Sequence, residues 1–288
     1  MRGLVGLIGG LVLGLCGRTG GAVSAATVEY GRADDKPLLM DVRVPEGKGT
    51  FPIVLYVHGG GWSSGDRSEV ALFATNLLQA GMLCCSVEYR LAPTNGWPAC
   101  YEDVVAAVRW LKAHGKEYGG DPERFALLGY SAGGHLACYT AVMADKDLRF
   151  SAVVGFAPPT DLVSDTERRG GLSQALQNVL HQPKEVDEKT RKVLFELSPL
   201  NHVRSGLPPF LLVHGTEDKS VPYDQSIQFQ ARLKESGVAC DLLTISNAPH
   251  RISDWPKYDS RFKEETVGWL AQRLGVPAAG KKSSSFNP

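Results

Sequence analysis

Apolar, β-rich runs recur along the chain at Leu38 to Val44, Ile53 to Val57, Leu83 to Val87, Phe125 to Leu128, Ala152 to Phe156, Phe210 to Val213 and Leu242 to Ile245. Each has strand length, and most are flanked by segments with helical spacing. The segment 99 to 114 shows that spacing well: Val104, Val105, Val108 and Leu111 form one stripe, while Glu102, Asp103, Arg109 and Lys112 fall off it. Continuous apolar strands alternating with amphipathic helices predict a mostly parallel sheet covered on both faces. Between 28 and 45 two candidate strands follow one another with no helix between them, which predicts an antiparallel hairpin leading into the parallel part.

The alternation breaks at 158 to 207, where two helical patterns, Leu172/Leu176/Val179/Leu180 and Val193/Leu194/Leu197, lie between the strands ending at Phe156 and Val213. A connection that long reads as an insertion, either a cap over a site or decoration of the sheet edge. There is no internal repeat and no Pro/Gly/Ser linker. One domain over 26–275 is expected, followed by a flexible tail at 276–288 containing Lys281, Lys282 and three serines.

The N-terminus reads differently. Arg2 precedes an uncharged stretch from Leu4 to Leu15, and Val23-Ser24-Ala25 offers small residues before a cut at Ala26. That layout predicts a signal peptide over 1–25 and a secreted or periplasmic protein. The apolar stretch is shorter than the roughly 20 residues of a membrane span. Cys16 sits where a lipoprotein would be acylated, but the bulky Leu15 before it makes this the minor reading. Cleavage would remove Cys16 and leave Cys84, Cys85, Cys100, Cys138 and Cys240, an odd set without the spacing of a disulfide framework or a zinc site.

Composition narrows the function class. The 288 residues carry 31 Lys+Arg against 31 Asp+Glu, with no basic run outside the tail, which argues against a nucleic-acid binder. The 43% of hydrophobic residues exclude a disordered chain. An enzyme or a receptor-like binder remains.

Two glycine-rich motifs carry chemistry. Gly129-Tyr130-Ser131-Ala132-Gly133 lies between the run Phe125 to Leu128 and the helix-period segment Ala132 to Met143, the strand-turn-helix setting in which G-x-S-x-G presents a nucleophilic serine. His58-Gly59-Gly60-Gly61-Trp62 directly follows Val57, and its glycines let backbone N–H groups approach a developing oxyanion. It lacks G-K-[ST] and the GxGxxG register, so a phosphate cradle is not indicated. A serine nucleophile needs a base and an orienting acid, in this architecture in the order Ser, acid, His. His250, after the last predicted strand, is the candidate base. Asp218 is the favoured acid, with Glu217 and Asp161 as rivals. His135 and His214 read as packed or supporting residues, and His114, His181 and His202 as ordinary polar positions. No metal constellation competes.

These motifs, with EYRLAP at 88 to 93, the helix around 101 to 111, DPERFALLGYSAGGHLA at 121 to 137 and PPFLLVHGTEDKSVP at 208 to 222, closely resemble the α/β-hydrolase esterases of the HGGG type, akin to hormone-sensitive lipase and the acetylxylan/feruloyl esterase-like group. The resemblance covers roughly residues 28 to 274. It implies an eight-stranded, mostly parallel sheet with helices on both faces and a small helical insertion between strands 6 and 7. It also implies Ser131 as nucleophile, His250 as base then acid, Asp218 as its orienting group, and the N–H groups of Gly60, Gly61 and Ala132 as oxyanion donors, with no cofactor. His58, Trp62 and Tyr130 are candidates for the binding surface, and Trp62, Tyr89, Trp97 and Trp255 for a sugar-binding rim or for packing. Two departures stand out: Asn-Ala-Pro-His-Arg around the base, where many relatives have Gly-x-Gly-His-Gly, and Tyr130 in place of a small residue before the nucleophile. The function expected is a secreted serine carboxylesterase acting on short acyl esters, with acetyl groups on polysaccharide as one substrate. A serine peptidase and a formamidase-type amide hydrolase are the same-fold alternatives, and a non-catalytic binder the alternative from another class.

Overall fold

A computed structural model of the chain describes residues 24–145 and 147–277. Its strands are β1 (Ser24–Ala33), β2 (Lys36–Val44), β3 (Phe51–Val57), β4 (Leu83–Val87), β5 (Gly120–Tyr130), β6 (Ala152–Phe156), β7 (Phe210–Gly215) and β8 (Cys240–Ile245). The helices are α1 (Ala71–Gln79), α2 (Ala99–His114), α3 (Ala132–Met143), α4 (Leu162–Arg169), α5 (Gln174–Leu180), α6 (Glu188–Leu197), α7 (Asp224–Glu235) and α8 (Phe262–Arg273). The strands form one sheet in the order β1-β2-β4-β3-β5-β6-β7-β8. β1 and β2 pair antiparallel, β2 is antiparallel to β4, and every later pairing is parallel. The expected hairpin and parallel sheet are both present, and this is the α/β-hydrolase fold. The expected signal peptide lies almost wholly outside the described residues; Ser24 and Ala25, its last two positions, pair with Val44 and Arg43 in β1. Of the expected tail, 278–288 lies outside the described residues, while the Val276 N–H still donates to Ala271.

Successive residues of the central strand divide between two cores. Ile53, Leu55 and Val57 of β3 enter one core with Val104, Val108 and Leu111 of α2, Leu136 of α3 and Phe229 of α7. Val54 and Tyr56 enter the other with Phe73 and Leu77 of α1 and Phe262 and Leu270 of α8. Strand side chains alternate across the sheet, so a strand buried on both faces must be apolar throughout.

Asp103 departs from the stripe reading of α2. It is buried, because Arg90, in the loop after β4, donates to both its carboxylate oxygens at 2.7–3.0 Å and the Arg90 backbone N–H adds a bond at 2.8 Å. The insertion also differs from its two expected helices. A third, α4, is short and mostly polar, and its ends are well defined: the Asp161 carboxylate accepts from the N–H groups of Val163 and Ser164 at 3.1 Å, and Gly170 closes it in the left-handed conformation. All five described cysteines are buried free thiols. No helix among the described residues is long and apolar enough to cross a membrane.

Candidate active site

Parallel register places the motifs. Val57 lies opposite Gly129, Tyr130 opposite Phe156, Phe156 opposite Val213, and Gly215 opposite Ile245. The loops leaving β3, β5, β7 and β8 therefore emerge side by side at the carboxyl edge of the sheet, where open α/β sheets hold their ligands.

Ser131 sits at the junction of β5 and α3 with φ 53° and ψ −119°, a conformation rare for a residue with a side chain. Its N–H donates to Phe156 at 2.8 Å, which fixes the turn and leaves the hydroxyl projecting. Gly133 permits the sharp return of the chain, since a Cβ there would overlap the carbonyl oxygens of Val57 and His58. Ser131 Oγ is 2.9 Å from His250 Nε2, and His250 Nδ1 is 2.6 Å from Asp218 Oδ2. With a carboxylate as partner, Nδ1 carries the proton and donates it, leaving Nε2 as the acceptor for the serine hydroxyl.

The Asp218 carboxylate is fully buried. Burial alone would raise its pKa, but bonds from His214 and His250 and from the backbone outweigh it and hold the group ionised well below the usual carboxylate range. Asp218 Oδ1 accepts the N–H groups of Ser220 and Val221, each at 2.8 Å, and His214 Nε2 lies 3.2 Å from Oδ2. Ser226 Oγ, 2.7 Å from His214 Nδ1, completes the support. Both rivals for the acid are engaged elsewhere: Glu217 pairs with Lys219 at 2.8 Å, and Asp161 caps α4.

The loop after β3 is braced from below. His58 is buried, donates through Nδ1 to the Gly59 carbonyl at 2.8 Å, and stacks on Tyr89 with ring centroids 4.2 Å apart. The Tyr89 hydroxyl returns a bond to the His58 carbonyl at 3.0 Å. Gly60, at φ 104°, closes a turn whose carbonyl accepts from Ser63 and Ser64. Among the described residues no protein acceptor takes the N–H of Gly60 or Gly61. Ala132 opens α3, where an N–H has no acceptor within the helix and forms part of the positive end of its dipole.

A cavity of about 730 Å³ opens over this edge, lined by Gly60, Gly61, Trp62, Tyr130, Ser131, Ala132 and His250, with Val221, Gln225 and Arg251 beside them. The insertion closes one side through Leu162, Asp165, Arg169, Ser173, Ala175 and Leu176. Gln225 ties the insertion down, accepting from the N–H groups of Thr160 and Asp161 at 2.8 and 2.7 Å and donating to the Asp161 carbonyl at 3.0 Å.

A family model described as BD-FAE matches residues 40–233, a span that contains the strained serine, the glycine loop and the buried aspartate. The chain belongs to the BD-FAE family. It is 32% identical to the Mycobacterium tuberculosis protein named probable carboxylic ester hydrolase LipM over 72% of this chain and 50% of that one. It is 29% identical to esterase LipQ of the same organism over 91% and 66%. The chain thus spans between half and two thirds of the length of these relatives. Among solved structures, a thermophilic esterase of Thermogutta terrifontis with propionate bound is 26% identical and superposes with a TM-score of 0.73 over 89% of this chain and 97% of that one.

Within this BD-FAE chain Gly60, Gly61, Trp62, Tyr130, Ser131, Ala132 and His250 line one cavity with Asp218 buried behind His250, while four residues singled out from sequence lie outside the lining, Trp97 among them, stacked on Tyr101 with ring centroids 5.5 Å apart. His58 lies beneath the loop and does not line the cavity; Tyr89 is buried under it, and Trp255 is fully buried, its indole donating to the Pro249 carbonyl at 2.7 Å. Sequence reasoning passed over Glu69, which lines the cavity, accepts the Gly59 N–H at 3.4 Å, and has its pKa raised by burial. It belongs to a short 3₁₀ turn with no motif to flag it. Arg169 was also missed; it pairs with Asp165 at 2.7 Å and bonds the Ser220 carbonyl, joining the insertion to the loop that carries Asp218.

Proposed function

We propose that this chain is an exported serine carboxylesterase that hydrolyses short acyl esters through an acyl-enzyme. The observation that carries this reading is the continuous line Ser131–His250–Asp218, 2.9 and 2.6 Å at its two links, opening into a cavity beside the glycine loop. Ser131 Oγ attacks the ester carbonyl carbon as His250 Nε2 takes its proton. The resulting oxyanion is met by the N–H groups of Gly60, Gly61 and Ala132. His250, now charged against Asp218, returns the proton to the departing alcohol, and a water activated by the same nitrogen releases the acid. Asp218 stays ionised throughout, so it orients and stabilises the imidazolium without taking the proton.

The esterase names of LipM and LipQ and the propionate held by the Thermogutta terrifontis enzyme support ester hydrolysis with a small acyl group. The N-terminal apolar segment supports export, and export makes acetyl groups on polysaccharide the natural substrate class of this reading.

Turnover of p-nitrophenyl esters of increasing acyl length, acetylated xylan and a panel of peptide amides tests the proposal, with Ser131→Ala as control. Fast turnover of acetyl and propionyl esters that is lost in Ser131→Ala is expected. Equal turnover by the alanine variant, or amides cleaved faster than esters, would overturn it.

A further inference from the structure

We propose that Tyr130 is a positioning residue for the reaction, its hydroxyl holding the backbone of His250 so that one imidazole reaches Ser131 and Asp218 at once. This rests on the serine-esterase reading above. The Tyr130 hydroxyl donates to the His250 carbonyl oxygen at 2.9 Å across 120 positions of sequence, and its ring centroid lies 5.3 Å from the imidazole, tilted by 32°. The ring also lies close against the glycine loop, where a Cβ at Gly59 would sit 2.7 Å from Tyr130 Cδ1. One side chain therefore touches the segment carrying the base and the loop carrying the oxyanion donors, and its own peptide unit leads into the nucleophile.

His250 needs such a hold because it lies beyond the end of β8, in a segment between the left-handed residue Asn247 and a 3₁₀ turn at Ile252–Lys257. The carbonyls of Pro249 and His250 are instead taken in succession by two aromatic donors from different elements, the Trp255 indole at 2.7 Å and the Tyr130 phenol at 2.9 Å. The side chain of His250 must meanwhile satisfy two distances set by separate loops. Catalytic groups misplaced by fractions of an ångström lose rate steeply, so a bond to the backbone of the base acts on kcat. Burial raises the Tyr130 pKa, so the phenol remains a donor across the working range of the base. A shorter residue at position 130 could not reach the His250 carbonyl.

The test compares Tyr130→Phe with the parent protein in steady-state turnover of p-nitrophenyl acetate, thermal melting, and the low-field proton NMR signal of the His250 Nδ1–Asp218 bond. A neutral hydrogen bond of ordinary net strength predicts a fall in kcat of about three- to tenfold. KM should stay within about twofold and the melting temperature should be nearly unchanged, while the low-field signal broadens as the imidazole samples other orientations. An unchanged kcat, an unchanged low-field signal, or a kcat loss matched by a large drop in melting temperature each overturns the proposal. If the parent protein turns over no ester, the esterase reading fails by itself, and the NMR comparison still decides whether Tyr130 positions His250.

Discussion

Gly133 of α3 lies so close to the end of β3 that a Cβ on it would overlap the carbonyl oxygen of Val57. The first turn behind Ser131 and the strand that launches the glycine loop are thereby held at one separation. Gly133→Ala is expected to cost about 1–3 kcal/mol, the usual range for overpacking. Activity per folded molecule should fall further, because Gly60 and Gly61 move away from Ser131. Denaturant unfolding together with kcat measures both, and an unchanged midpoint with full activity would refute the constraint.

The three acids once in contention for orienting the base separate cleanly by substitution. Asp218→Asn should lower kcat by about 10³- to 10⁴-fold, since it removes the charge facing His250 and permits the wrong tautomer. Glu217→Gln should leave kcat within about twofold, because its partner is the exposed Lys219. Asp161→Ala should keep catalysis but lose about 1 kcal/mol of stability with the cap of α4. Near-parent activity in Asp218→Asn would move the role to another residue.

Acid stability carries the signature of the same carboxylate. The folded pKa of Asp218 is lowered, so folding releases its proton more readily than the unfolded chain does. Its contribution is fully present above the unfolded value of about 4 and is lost as pH falls below that and through the lowered folded value. The stability difference between the parent and Asp218→Asn should therefore be flat from neutral pH to about pH 5 and shrink on further acidification. A difference that grows as pH falls would reverse the assigned direction.

Arg90 and Asp103 form an ion pair whose carboxylate side chain is 3% exposed. Arg90→Ala would strand that charge and should cost about 3 kcal/mol or more, whereas replacing both partners by apolar residues should cost less. Melting of the two single variants and the double variant completes the cycle. The loop after β4 also carries Tyr89 under His58, so Arg90→Ala should lower kcat as well as stability.

Strands such as β4 and β6 and helices such as α2 and α3 were legible to the residue, because burial on both faces, or on one stripe, writes itself into apolar spacing. That Ser131, Asp218 and His250 meet at one sheet edge was legible from the strands they follow, and the turn at Ser131 from the glycines that flank it. What stayed hidden depends on partners distant in sequence. Asp103 falls off the apolar stripe of α2 because its burial depends on Arg90, and α4 buries only Leu162 and Thr166, so its place rests on its caps and its docking on Gln225. Tyr130 stood out only as an odd residue before the serine, and its bond to a backbone carbonyl leaves no trace in composition. His58 was drawn toward the binding surface by its place in the motif, although its ring points into the core.

The buried thiols bear on how the protein can be produced. Burial pushes Cys84, Cys100 and Cys240 each up to about 12, so almost no thiolate is available at neutral pH for exchange or alkylation. A native fold that uses no cross-link among these five residues asks nothing of the redox poise around it. The domain should mature equally in an oxidising or a reducing host, and reducing agents added during purification should leave its activity untouched.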